Sequence, residues 1–166
     1  MSEQKRVTVA ITGASGAQYG LRLIESLVKA DVKVFVLVSK AAHVVIATET
    51  ALKIPAQAAA MTQFFTEHYQ AKDGQITVLG KEDWMSPVAS GSGAPSSMVV
   101  CPCSTGALSA IATGASNNLI EDIDIGEGLA IENGDMDRAE AVVDNLDNRY
   151  FNEDEAINLI ELARAN

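Results

Sequence analysis

The feature that most constrains this chain is the run "VTVAITGASGAQYGLRL", Val7 to Leu23. Val7–Ile11 is apolar and β-branched at nearly every position, the composition of a strand buried on both faces of a parallel sheet. It ends in six small residues, Thr12 to Ala17, and then resumes with helical spacing. A strand that turns through small residues into a helix brings backbone N–H groups and the positive end of the helix dipole to one place. Ligands, anions above all, can then touch the backbone there.

The same grammar recurs. "KVFVLVS" (Lys33–Ser39) is a second buried-strand run, and "AQYGLRLIESLVKA" between them sets Leu21, Ile24, Leu27 and Val28 along one helical face. Strand, helix and strand within about 30 residues make a βαβ unit. "SKAAHVVIATET" reads as a second helix. "PAQAAAMTQFFTEHYQ" reads as a third, with Phe64 and Phe65 as packing residues. "QITVLG" reads as a short strand and "DWMSPVASGSGAPSS" as a loop. "SMVVCPC" is another buried strand, and "STGALSAIATGAS" opens a helix with Ser104 or Thr105 as its N-cap. The alternation predicts an α/β fold with four parallel strands over residues 1–120, a flavodoxin-like or Rossmann-like three-layer arrangement. Two strand ends then share one character, Gly13-Ala14-Ser15-Gly16 and Cys103-Ser104-Thr105-Gly106. If their strands are neighbours, the two loops form one site.

Charge divides the chain. Of 166 residues with net charge −10, residues 1–120 hold nine Lys/Arg and eight Asp/Glu, and residues 121–166 hold three Arg and 14 Asp/Glu. The split places a boundary near Ile120 and an acidic, helical tail beyond it, with "GDMDRAEAVVDNLDN" and "NEDEAINLIELARA" as two short amphipathic helices. The acidity argues against nucleic acid as a partner. No apolar run spans a bilayer, and the N-terminus lacks a signal peptide's apolar stretch, so the expected location is cytoplasmic. Cys101 and Cys103 read as small buried strand residues, and a C-x-C pair with only two histidines elsewhere makes a poor zinc site; no metal is expected. His43 and His68 carry no motif.

The first loop does not fit G-x-G-x-x-G, the short-chain dehydrogenase pattern or a P-loop, which weakens nicotinamide and P-loop nucleotide readings. Three segments together are more specific: "TGASGAQYGLRL", "SKAA…TET" and "DWMSPVASGSGAPSSMVVCPCSTGALSAIATGASNNLIE". They resemble, in order, the UbiX family of flavin prenyltransferases, from about Arg6 to Glu121. The resemblance implies FMN as the bound flavin, dimethylallyl phosphate as the prenyl donor, attachment at flavin N5 and C6, and no metal. It also implies a homo-oligomer whose flavin sites lie at subunit contacts, and a partner decarboxylase that receives the prenylated FMN in ubiquinone biosynthesis. By the same resemblance Gly13, Ala14, Ser15, Ser39, Ser104, Thr105, Gly106 and Ala107 would contact the cofactor. Ser15 and Glu49 would manage protons beside the flavin, and Trp84 and Ser90 would line the prenyl pocket. An indole face can stabilise an allylic cation by roughly 0.5–2 kcal/mol, and a positioned carboxylate can act as acid or base. From the residues alone, Glu49 fits an exposed acid at a helix end better than a catalytic group, and Trp84 fits a packing residue as well as a pocket residue.

After "NNLIE" the resemblance stops. The family's basic residues and Tyr for the donor's phosphate lie in the part that differs, and the tail here contains no Lys. Three readings follow from the sequence. One is flavin prenyl transfer, with slow or no turnover expected. The second is a flavin-binding or structural chain without transferase activity. The third is an interaction module acting through the acidic tail.

Overall fold

In the computed structural model, the described residues are 4–89, 93–95, 97–115, 117–121 and the backbone of 128–131. They form one five-stranded parallel sheet in the order β3-β2-β1-β4-β5. The strands are β1 (Arg6–Ile11), β2 (Lys33–Val38), β3 (Ile76–Leu79), β4 (Ser97–Val100) and β5 (Gly128–Ile131). The helices are α1 (Ala17–Lys29), α2 (Lys40–Glu49), α3 (Ala58–His68) and α4 (Thr105–Thr113). The four expected strands are present in the expected parallel sense. The fifth, GLAI, lies in the segment read as acidic tail and pairs with β4 from Ser97↔Gly128 to Val100↔Ile131. The two amphipathic helices expected beyond Gly134 fall outside the described residues.

Period-two alternation sorts the strand side chains onto two faces. Val7, Val9 and Ile11 of β1, Val34 and Val36 of β2, Ile76 and Val78 of β3 and Val99 of β4 pack under α1, α2 and α3, with Ile24, Leu27, Ile46 and Phe65. Ala10, Phe35, Leu37, Leu79, Met98 and Val100 point the other way, against Leu119, Ile120 and the inner side of α4. Both faces are covered, which is why these strands are continuous apolar runs rather than alternating ones. Phe65 is fully buried and Phe64 only partly so, giving α3 one packing aromatic and one flank.

The chain winds outward from β1 through β2 to β3, then returns to β4 on the opposite side of β1. Strand order therefore reverses between β1 and β4, and the crevice above that point opens at the carboxyl ends of the strands. Two glycines fix how closely the surrounding pieces approach. A Cβ on Gly20 of α1 would lie 2.2 Å from the Cys101 carbonyl oxygen, and one on Gly13 would lie 2.3 Å from Ala41 Cβ in α2.

Candidate functional site

Three backbone bonds zip the strand ends together: Cys101 N–H donates to Ala10 O at 2.8 Å, Thr12 N–H to Pro102 O at 3.1 Å, and Ser39 N–H to Ile11 O at 3.1 Å. Thr12 adds a staple. Its buried hydroxyl donates to Pro102 O at 2.7 Å and accepts from Ser104 N–H at 2.7 Å. The turn after β1 and the turn after β4 are thus locked side by side, as the adjacent-loop reading requires.

Above them lies a cleft of about 170 Å³, lined by Thr12, Gly13, Ser39, Lys40, Lys81 and Ser104, with Ala41, Ala107, Asn118, Ile120 and Glu121 completing its wall. Gly13, Ser39, Ser104 and Ala107 come from the set expected to contact FMN. Cofactor-sized pockets run to roughly 300–1,000 Å³, so the described residues enclose only part of such a site.

Both serines cap helices. Ser39 Oγ accepts from Ala42 N–H at 3.1 Å, and Ser104 Oγ accepts from Ala107 N–H at 3.2 Å. Ser104, not Thr105, is the α4 cap. A capping serine uses its oxygen as acceptor and keeps its O–H available to donate outward. The first helical N–H groups, Lys40 and Ala41 in α2 and Thr105 and Gly106 in α4, have no hydrogen-bond partner among the described residues. A Cβ on Gly106 would meet nothing within 4 Å, so space stands open at the head of α4.

The start of α1 is arranged differently. Its N-cap, Gly16, has φ 102° and no side-chain cap. Glu49, the last residue of α2, supplies one from 33 residues away: its carboxylate accepts from Gly16 N–H at 2.9 Å and from Ala17 N–H at 3.1 Å. The Ser15 hydroxyl donates to the other carboxylate oxygen. The Ser15 hydrogen bond, followed by those from Gly16 and Ala17, lowers the Glu49 pKa below its ordinary 4.5. Glu49 is therefore ionised at neutral pH. Ser15 and Glu49 are brought together next to the cleft but not in its wall.

The other expected site residues divide. Thr105 and Gly106 are exposed at the head of α4. Trp84 is 43% exposed in the loop after β3 and is absent from the cleft wall. Ser90 lies outside the described residues. Burial raises the Cys103 thiol to about 11, so it is a neutral buried thiol at physiological pH rather than a thiolate ligand. Among the described residues no three His, Cys, Asp or Glu side chains group to hold a metal ion. None of the described helices is long and apolar enough to cross a membrane.

Thr12, Lys40, Lys81, Asn118 and Glu121 were not singled out from sequence. Thr12 reads there only as the first of the six small residues that end the strand run. The peptide N–H of Leu119 donates to Lys81 O at 2.8 Å, which ties the segment after α4 to the end of β3 and draws Lys81 to the cleft.

The fold and the crevice define a class: a doubly wound parallel α/β protein with a cleft at its switch point. The flavoprotein family model matches residues 1–125, and the chain belongs to that family. Within it, the matched part is similar to UbiX flavin prenyltransferases. It is 60% identical over 121 residues to flavin prenyltransferase UbiX of Pseudomonas aeruginosa, covering 73% of this chain and 58% of that protein. It is 40% identical over 114 residues to UbiX of Halalkalibacterium halodurans, covering 69% and 53%. The chain thus spans a little over half the length of these relatives. Among solved structures, it resembles a UbiX (PadA1) in complex with FMN and dimethylallyl pyrophosphate, with TM-score 0.62 and 27% identity over 78% of this chain and 64% of that one. It also shares its fold with a dodecameric FMN-dependent UbiX-like decarboxylase from Escherichia coli O157:H7, with TM-score 0.64 and 18% identity over 95% and 90%.

Proposed function

We propose that this chain binds FMN across the cleft between the β1 and β4 strand ends and contributes the flavin side of a prenyl-transfer site. The observation that carries this reading is the convergence of two serine-capped helix starts on one crevice. Ser39 and Ser104 keep O–H groups to donate, and the N–H groups of Lys40, Ala41, Thr105 and Gly106 are open. That donor set suits a flavin's phosphate and carbonyl oxygens, and the open space at Gly106 lets a ligand reach the backbone. Family membership and the related structure in complex with FMN support the same ligand.

A bound reduced flavin would supply the nucleophilic N5 and C6. Dimethylallyl phosphate would supply the alkyl group and release phosphate. The chain's own part is proton handling and orientation. Ser15 donates its proton to an ionised Glu49 while its oxygen stays free to accept another, a relay that can move a proton without charging the serine. Trp84, with much of its indole exposed, would offer a face to the allyl group. Completion by further copies in a homo-oligomer, and delivery of product to a partner decarboxylase in the cytoplasm, belong to the same proposal. The test is anaerobic incubation of reduced FMN with dimethylallyl phosphate and mass analysis for the prenylated product, beside a fluorescence titration of FMN. Saturable binding with product supports transfer. Absence of saturable binding at high micromolar protein overturns the flavin reading.

A second reading, flavin binding without transfer, is favoured by one observation. Residues 121–166 carry 14 carboxylates, three arginines and no Lys. Stabilising the departing phosphate is often the largest single electrostatic term in such chemistry, and one lost donor costs about 2.7–4 kcal/mol, or ~10²–10³ in rate. Binding without product in the same assay distinguishes this reading from the first.

A further inference from the structure

The two faces of the sheet are covered unequally. One carries α1, α2 and α3, and eight of the 13 residues of α1 are buried there. The other carries α4 alone among the described α-helices, and no residue of α4 is buried. Leu108 and Ile111 pack against the sheet yet stay partly exposed, and Ser109 and Ala112 beside them are exposed. The helix TGALSAIAT holds no charged side chain. A helix whose outer face meets water normally carries charge there, so α4 has the make-up of a helix covered on both sides.

The chain supplies a cover at the right place. β5 is the edge strand next to β4, in parallel register from Ser97↔Gly128 to Val100↔Ile131. Ile131 therefore leaves the sheet at its carboxyl edge, on the side where α4 begins. Only Glu132, Asn133 and Gly134 separate it from the segment 135–147, and strand-to-helix connections of about two to six residues are usual. In that segment Met136, Ala139, Val143 and Leu146 repeat at helical spacing with Val142 beside them, and Asp137, Glu140, Asp144 and Asp147 form a separate acidic stripe. Handedness sets the side. α1 joins β1 to β2 on one face, and α4 joins β4 to β5, which step away in the opposite direction, on the other. A right-handed chain that continues outward from β5 lays its next helix on the face of α4. The uncharged α4 sets no carboxylate against the acidic stripe.

We propose that residues 135–147 dock as an amphipathic helix on the outer face of α4, an intramolecular cover for the second face of the sheet. The apolar stripe meets the side of α4 that carries Leu108, Ile111 and Ala112, and the acidic stripe faces water. The acidic segment is then a further strand–helix unit of the sheet rather than a separate tail, and this face of α4 is closed to a second copy. Docking here is independent of flavin binding.

The test is photo-cross-linking in the full chain. Thr113→Cys, exposed at the end of α4, carries a benzophenone maleimide; Cys101 and Cys103 are buried, and the wild type checks that they take no label. Ala60→Cys, exposed on α3 across the sheet, is the control. Ordinary and isotope-labelled chains are mixed before irradiation, and peptide mass analysis identifies each linked pair. The expected result is cross-links from position 113 to 135–147 in which both peptides carry the same isotope label, with none from position 60. Changing Val142→Asp and Val143→Asp together should remove these cross-links. In the unlabelled chain the same double change should speed amide exchange in α4 by on the order of tenfold, as the loss of two buried valines implies. Isotopically mixed pairs would overturn the proposal in favour of a second copy. It is overturned equally if position 113 gives no cross-link to 135–147, if position 60 gives as many, or if the double valine variant cross-links and exchanges as the wild type does.

Discussion

The turns after β1 and after β4 look like twins in sequence, each a run of small and hydroxyl residues leading into a helix. In the structure they are opposites. The first is closed: Glu49 occupies the Gly16 and Ala17 N–H groups and accepts a hydrogen bond from the Ser15 hydroxyl, and Ala41 leaves no room for a Cβ on Gly13. The second is open: the Thr105 and Gly106 N–H groups have no partner among the described residues, and nothing lies within 4 Å of a Cβ built on Gly106. The same local chemistry therefore serves two ends. At α1 a helix start is satisfied by the protein's own carboxylate. At α4 it is left for something else. A loop's composition says what it can hold, and the distant residues that fold against it decide whether the place is taken.

Glycine substitutions should show this contrast most strongly. Gly20→Ala and Gly13→Ala force contacts at 2.2 and 2.3 Å against a backbone carbonyl and a Cβ with no freedom to move away. Overpacking of this kind costs ~1–3 kcal/mol or more. Gly106→Ala on the open side should be neutral or stabilise by up to ~1 kcal/mol through helix propensity. Chemical denaturation of the three variants checks the asymmetry. Equal losses at positions 13 and 106 would remove it.

Next in size is Thr12, the staple between the two turns. Thr12→Val keeps the shape but leaves Ser104 N–H without its acceptor and Pro102 O short of one donor. A buried group left unsatisfied costs about 1–3 kcal/mol. Flavin affinity should fall along with stability, because the turns lose their register. Unchanged FMN binding in a folded Thr12→Val protein would mean that the staple does not position the site.

The smallest effect is the pH dependence of the closed turn. The Glu49 pKa is lower in the folded chain than its ordinary 4.5, so the carboxylate's stabilising contribution is complete above about pH 4.5 and is lost as the pH falls through the lowered folded value. Glu49→Gln should be less stable than the wild type at pH 7, and the gap should narrow below pH 4.5. A gap that stays constant with pH would show that the carboxylate's charge contributes nothing to closing α1.

Much of this was legible before the fold was known. β1, α1, β2 and β4 announce themselves because strands buried on both faces cannot alternate, and Leu21, Ile24 and Leu27 mark the buried side of α1. A cap at Ser104 or Thr105 follows from their place before an apolar helical run, and the structure chooses Ser104. β5 did not show, because four residues between acidic flanks carry too short a pattern to outweigh the charge around them. Glu49 was marked by resemblance, but its hold on α1 depends on contacts 32 to 34 residues apart that no local pattern encodes. Lys40 and Lys81 carry no signal in the sequence, and only the sheet order brings the ends of β2 and β3 to one cleft.

The central claim is that the open turn, not the closed one, receives the ligand's anion. Amide-resolved exchange or chemical-shift mapping on FMN titration tests it directly. The account predicts protection and shifts concentrated at Thr105–Ala107 and Ser39–Ala42, with Gly16 and Ala17 still bonded to Glu49. FMN-dependent changes confined to Gly16 and Ala17, with Thr105 and Gly106 unmoved, would contradict it.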